Sequence, residues 1–339
     1  MPRVSPCERT IEIIIPAANN AVIDLFQCLS MQNRKAYRQC NELGIQTVEI
    51  YGTDPNASGY VGIQRLPNTW VLVNSIVKAR AEWLEQQNDL LRDTDGWSSV
   101  AKYRDFKMYF NQYHATGVAF DGTAVVTILP NGFMDRTAAQ AVDPGAGYEW
   151  EYSKIAIPNF AGVAGNSVDV GLHALGDDNL TTSAGVITAY AESRSRPHPT
   201  DPSGVDTAGL TSTTGGIYSM MDDLGEINEN LQDAIRHEND QPPYVVGGVD
   251  SLFEFYPGGS QNPVTNSDEG VLVDKLFLRG GTALASDQTG PFSAHLGLLW
   301  FNNAYIQAGS GALASVQARI VVMPGDHHGV MARDMKDVN

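Results

Sequence analysis

The feature that most constrains this chain is the rhythm of its apolar residues. It keeps to short, strand-like runs almost everywhere and takes up a long helical period once. Thr10–Pro16 is rich in β-branched residues and closed by a proline. Leu43–Tyr51 sets Ile45, Thr47, Glu49 and Tyr51 against Gln46, Val48 and Ile50, the alternation of a half-buried strand. Tyr60–Leu66 is another short run, stopped by Pro67. Further expected strands are Gly117–Phe120, Ala124–Leu129, Tyr148–Ile157, Val168–Leu175, Val186–Glu192, Gly270–Leu278, Pro291–Phe301 and Ser315–Met323. Turn chemistry separates them: TDPNASG over 53–59, a Ser/Thr/Pro/Gly-rich stretch over 193–216, and the doublets at 242–243, 247–248 and 258–259.

From Thr69 to about Arg92 the period changes. Trp70, Val73, Ile76, Val77, Trp83, Leu84, Leu90 and Leu91 fall at helical spacing. Asn68 or Thr69 can cap this helix, because a short polar side chain accepts an amide hydrogen bond that the first turn leaves unmade. Shorter helical pieces are expected over 97–113 and Ser219–His237. Many strands, one long helix and no alternating βα rhythm predict a mainly β chain. The specific expectation is one jelly-roll domain over 1–339, an antiparallel β-sandwich with long inserted loops near 68–114 and 193–245.

The net charge of −17 is unevenly spread. Residues 1–107 hold 12 basic and 12 acidic residues, whereas 108–339 hold 10 and 27. This predicts an acidic solvated surface and a near-neutral N-terminal third, and argues against a general phosphate-binding protein. Cys7, Cys28 and Cys40 share no metal-ligand spacing and predict free thiols from a reducing compartment. No run approaches ~18 consecutive apolar residues, so no membrane span is expected.

No motif for reaction chemistry stands out. His237-Glu238 lacks the second histidine of a zinc-protease helix, the glycine doublets lack a following Lys-Ser/Thr, and no Gly-x-Ser-x-Gly elbow is present. Asp326-His327-His328, with His295 as a distant third ligand, could hold a metal. Adjacent histidines point apart on a strand, however, so a polar turn is the favoured reading. The loop acids Asp177-Asp178 suit a divalent cation at subunit contacts, while Asp222-Asp223 suit a helix terminus; no cofactor is otherwise expected. The best nucleic-acid candidate is Arg34, Lys35, Tyr37 and Arg38, in which cations would neutralise phosphates and the ring would stack on an unpaired base. Lys78, Arg80, Lys102, Arg104 and Lys107 could extend it. Trp70, Trp83 and Trp97 are expected in core or interface packing.

Several stretches, in order along the chain, resemble the capsid proteins of environmental small circular Rep-encoding single-stranded DNA viruses. They are Pro67-Asn68-Thr69-Trp70 leading into the helix, Glu149–Asn159, Ala184–Arg194, Glu238–Tyr244, Tyr256–Gly259 and Val321–Val330. The resemblance implies a single jelly roll, self-assembly into an icosahedral shell around a single-stranded DNA genome, and a virion protein assembled in the host cell. It carries no catalytic residue. It departs from small-virus capsids in one respect: Met1–Thr10 holds only Arg3 and Arg9, so a basic arm is not expected. The resulting expectation is a non-enzymatic capsid subunit. Its rivals are a carbohydrate-binding or adhesin sandwich of a virus or phage, and a metal enzyme using His295, His327 and His328.

Overall fold

The computed structural model describes residues 7–17, 20–52, 56–93, 104–119, 122–130, 150–158, 167–176, 183–187, 189–190, 270–280, 286–302 and 306–338. The chain is mainly β. Two antiparallel sheets face one another across a shared core, and a further α/β layer covers the outside of one of them.

The first sheet contains β1 (Thr10–Ile15), β3 (Asn41–Gly52), β11 (Ser286–Gln288), β12 (Phe292–His295) and β14 (Val316–Val322). β14 lies between β1 and β3, with Ile13 opposite Ala318 and Ile320 opposite Val48. β11 and β12 together line the other edge of β3. The second sheet runs in the order β10 (Val271–Leu278), β4 (Gly59–Arg65), β13 (Leu298–Asn302), β2 (Asn20–Asp24) and β6 (Val125–Ile128), with β6 the one parallel member.

Alternation decides what each strand buries. Ile11, Ile13 and Ile15 of β1 point inward with Val316, Ala318, Ile320 and Val322 of β14. Ile23, Ile63, Leu276, Leu299 and Phe301 meet them from the second sheet. Each fully buried aliphatic side chain contributes about 1.5–3 kcal/mol. The opposite face of the first sheet sets Arg319 between Glu12 and Glu49, with Ile14 exposed beside them.

β3 departs from the simple alternation in its sequence. Leu43, Ile45, Val48 and Ile50 are all buried on one side. A bulge makes this possible: Val321 pairs with Thr47 and Val322 with Ile45, so Gln46 is the extra residue. Thr289, between β11 and β12, fixes the bulge by accepting from the Val48 amide at 3.0 Å and from the Thr47 hydroxyl at 3.0 Å.

The long helix α2 spans Trp70–Asp93, and Thr69 caps it, its hydroxyl accepting from the Leu72 amide at 3.3 Å. Val71, Leu72, Ile76 and Ala79 pack on Val22, Leu298 and Trp300, the outer face of the second sheet. A third sheet completes this layer: β5 (Tyr109–Asn111), β7 (Lys154–Pro158), β8 (Ser167–Leu175) and β9 (Ser183–Gly185). α3 (Gln112–Thr116) follows β5. Apart from β6, which joins the second sheet beside β2, the chain leaves the sandwich at Arg65 and returns at Val271, and these two residues are paired neighbours in β4 and β10. All of 66–270 therefore connects two adjacent strands.

Three local expectations are corrected, and two elements are added. Asn20–Asp24 and Leu25–Asn33 form β2 and the helix α1, which the apolar pattern did not announce. Within 97–113, the described residues carry the strand β5, and a helix begins only at Gln112. In Val186–Glu192 the strand has already ended at Gly185, and 186–187 and 189–190 are helical. Pro291–Phe301 is broken at Leu296-Gly297, both at positive φ, which sends the chain from the first sheet to the second. The expected helix over 219–237 and the loop 193–216 lie outside the described residues.

Candidate functional site

The basic stretch expected to meet nucleic acid follows directly on α1. Arg34 ends that helix in the left-handed conformation, φ 53°, which turns the chain toward β3. Arg34 and Arg38 are exposed and Lys35 is half-buried. Tyr37 is fully buried, and its assignment as a base-stacking residue is corrected. Its amide donates to Ser30 Oγ at 3.0 Å, and its hydroxyl donates to the His328 carbonyl at 3.1 Å. The ring packs edge-on against His327 and His328, with centroids 6.3 and 5.8 Å away. A ring enclosed in this way has no face left for a base. Tyr37→Phe is expected to cost about 1 kcal/mol through the lost hydrogen bond, and Tyr37→Ala about 3–5 kcal/mol through the cavity. Thermal denaturation checks both.

The cations proposed to extend the patch are turned to other uses. Lys78 pairs with Glu82 at 2.7 Å, Arg80 with Asp334 at 3.3 Å and Lys107 with Asp105 at 2.9 Å. Arg104 donates to Asn88 Oδ1 at 2.6 Å, and Lys102 lies outside the described residues. Arg80 ties α2 to the C-terminal 3-10 helix Met335–Asp337 and does not face a ligand.

Asp326 and His327 end β15 (Pro324–His327), which bridges to Val330, and the chain turns at His328 and Gly329, both at positive φ, toward β16 (Ala332–Asp334). Burial, then the neighbouring His328 and Arg38, hold His327 below the ordinary imidazole range. His295 keeps different company: its Nε2 meets Asn68 Oδ1 at 3.0 Å and its Nδ1 lies 3.5 Å from Glu42. Among the described residues no three His, Cys, Asp or Glu side chains converge as a metal site. Trp83 packs on Phe106, whereas Trp70 is exposed; Trp97, Asp177-Asp178 and Asp222-Asp223 lie outside the described residues.

The structure assembles a polar cluster that the sequence reading passed over, at the joint between sandwich and covering layer. Asp24 ends β2, caps α1 and is fully buried. Its Oδ1 accepts from the Phe26 and Gln27 amides at 3.0 and 3.2 Å. Its Oδ2 accepts from Gln39 Nε2 at 2.9 Å and Trp150 Nε1 at 3.1 Å. Gln39 in turn clamps Met108, accepting from its amide at 2.7 Å and donating to its carbonyl at 3.0 Å. Burial pushes the Asp24 carboxyl up to about 7, against the four donors that pull it down. Beside it, Tyr152 stacks on Tyr109 at 4.0 Å, and both meet the edge of His114. Burial lowers His114 to about 3, so the ring is neutral. Its Nδ1 accepts from the Phe110 amide at 3.2 Å, which leaves the proton on Nε2 to donate to Thr127 Oγ1 at 3.2 Å. Asp24, Gln39 and His114 are all buried. The chemistry of the cluster is that of a lock: it holds β5 and Trp150 onto β2 and α1. One signal could have found it, since Asp24-x-x-Gln27 is a helix-capping pattern.

The fold thus defines a class: a two-sheet antiparallel sandwich with an α/β layer inserted between two paired strands. Comparison of the chain with family models, with curated proteins and with solved structures returned no match.

Proposed function

We propose that this chain is a viral capsid subunit that assembles into an icosahedral shell around a single-stranded DNA genome. The strand order carries the proposal. Counting β11 and β12 as one, the eight principal strands lie as first–eighth–third–sixth in one sheet and second–seventh–fourth–fifth in the other. That order supports a jelly roll, an architecture used by many capsid and lectin domains. β10 adds support, because Leu272 and Phe277, which the bulge after Leu272 brings to one face of this edge strand, are 47 and 53% exposed. Neighbouring apolar side chains on a sheet margin suit burial against another copy.

The genome part of the proposal rests on the resemblance in sequence. The described cations favour a weak role in phosphate neutralisation, since Lys78, Arg80 and Lys107 are already paired with acids. Arg34 and Arg38 are the exposed cations of the basic turn.

Sedimentation and negative-stain imaging of concentrated full-length protein test the reading. Uniform closed particles a few tens of nanometres across are expected. Phe277→Asp should leave the subunit folded and shift it toward small species. A protein that stays monomeric across salt and concentration would refute the proposal.

A further inference from the structure

We propose that the cleft between α2 and β7 is a binding site for a short, uncharged oligosaccharide. This goes beyond the capsid reading and stands independently of it.

The cleft has a volume of about 480 Å³, within the usual range of small-molecule sites. One wall is a single face of α2, with Trp83, Gln86, Gln87 and Leu90 at helical spacing. The opposite wall is the strand β7 with its lead-in, where Glu151 and Lys154 reach the rim. Asp169, opposite Ala156 on β8, closes the end.

The walls are held apart at a fixed distance. Gln86 donates to the Ala156 carbonyl at 2.8 Å and accepts from the Ala156 amide at 3.0 Å. Ser153 and Lys107 are joined the same way, amide to carbonyl at 2.9 Å and amide to hydroxyl at 3.0 Å. A cleft stapled at both walls is preorganised, so binding has little ordering to offset.

The lining selects the ligand class. Asp105, Glu151 and Asp169 outnumber Lys154, which disfavours phosphates and other anions. Two of the three carboxylates already have cations, Asp105 with Lys107 at 2.9 Å and Glu151 with Lys154 at 3.5 Å, which lowers the attraction for a polycation. What remains is acceptor capacity beside an aromatic wall. The Asp169 carboxylate is exposed, the half-buried Gln87 amide both donates and accepts, and the half-buried Trp83 offers an indole. Sugar hydroxyls satisfy carboxylate and amide oxygens, while the C–H face of a pyranose packs on an aromatic ring.

The test is retention of full-length protein on a printed array of uncharged, sialylated and sulfated oligosaccharides. Retention on uncharged members is expected, weakened at least tenfold by Gln87→Ala and by Asp169→Asn and unchanged by Arg34→Ala. Circular dichroism confirms that each variant is folded. No retention, retention indifferent to the two cleft variants, or retention confined to the anionic members would overturn the proposal. So would a melting temperature raised by spermidine in an Asp169-dependent way with no sugar retained, which assigns the cleft to polycations. Particles without sugar retention overturn the cleft alone; variant-sensitive retention without particles overturns the shell alone.

Discussion

Asp24→Ala is expected to destabilise the fold by about 3–5 kcal/mol, read as a lower denaturant midpoint. The substitution removes the cap of α1, worth about 1 kcal/mol. It also takes the acceptor from the half-buried Trp150 indole and leaves the Gln39 amide with the Met108 carbonyl alone, each loss at about 1–3 kcal/mol. The loss should be felt far from α1, because Trp150 and Met108 belong to the covering layer and both reach the sandwich through this carboxylate and Gln39. Asp24→Asn separates charge from shape. The folded pKa of Asp24 is raised from 3.8 to about 7, so the native chain holds this proton more tightly than the unfolded one. The corresponding stabilisation is fully present below about pH 4 and is lost as pH rises to about 7. Cys28 and Tyr152 also face the carboxylate, but both are pushed upward by burial and stay protonated across that window. The stability advantage of native protein over Asp24→Asn should therefore grow on acidification from pH 7 to 4. A difference that stays flat with pH would show that Asp24 is ionised throughout.

The second large effect is at the crossing between sheets. Gly297→Ala should lower stability by about 2–5 kcal/mol, measured by thermal or urea denaturation. Two costs add. Gly297 has φ 63°, a conformation that costs a residue with a Cβ about 1–2 kcal/mol. The new Cβ would also stand 2.6 Å from Cδ2 and 2.9 Å from Cε2 of Phe26, a fully buried ring with no room to retreat. Overpacking of this kind costs about 1–3 kcal/mol. Gly290→Ala is the control. It has nothing within 4 Å of the added atom, and a change within about 0.5 kcal/mol is expected.

How far the sequence could be read depended on how many sides of an element are covered. β1, β4 and β14 show one buried face or a clear stop, and their runs were legible. α2 was legible to within a residue or so, because its period and Thr69 agree. β2 was not, since Ala21 and Ile23 face the inner core while Val22 faces α2, so no alternation appears. It also passes into α1 with no turn between. β3 misled because the bulge at Gln46 shifts which residues face inward. Tyr37 misled for a different reason: its neighbours in sequence are cations, but its neighbours in space are histidines almost three hundred positions away. The cleft was invisible for the same reason, since Trp83 and Asp169 are brought together only by the stapling of α2 to β7.

The pairing of Arg65 with Val271 has a kinetic consequence. During synthesis β4 emerges long before its neighbour β10, and the first four strands wait with open edges while 66–270 is made. Loop closure over such a span adds little to the equilibrium cost, which grows only with the logarithm of length. It delays the native sheet all the same, because the fifth principal strand and those after it complete both layers of the sandwich late. Excising the span and bridging its ends would shorten that delay, yet would bare Val22, Leu298 and Trp300 to water. A chain trimmed in this way would gain speed and lose solubility.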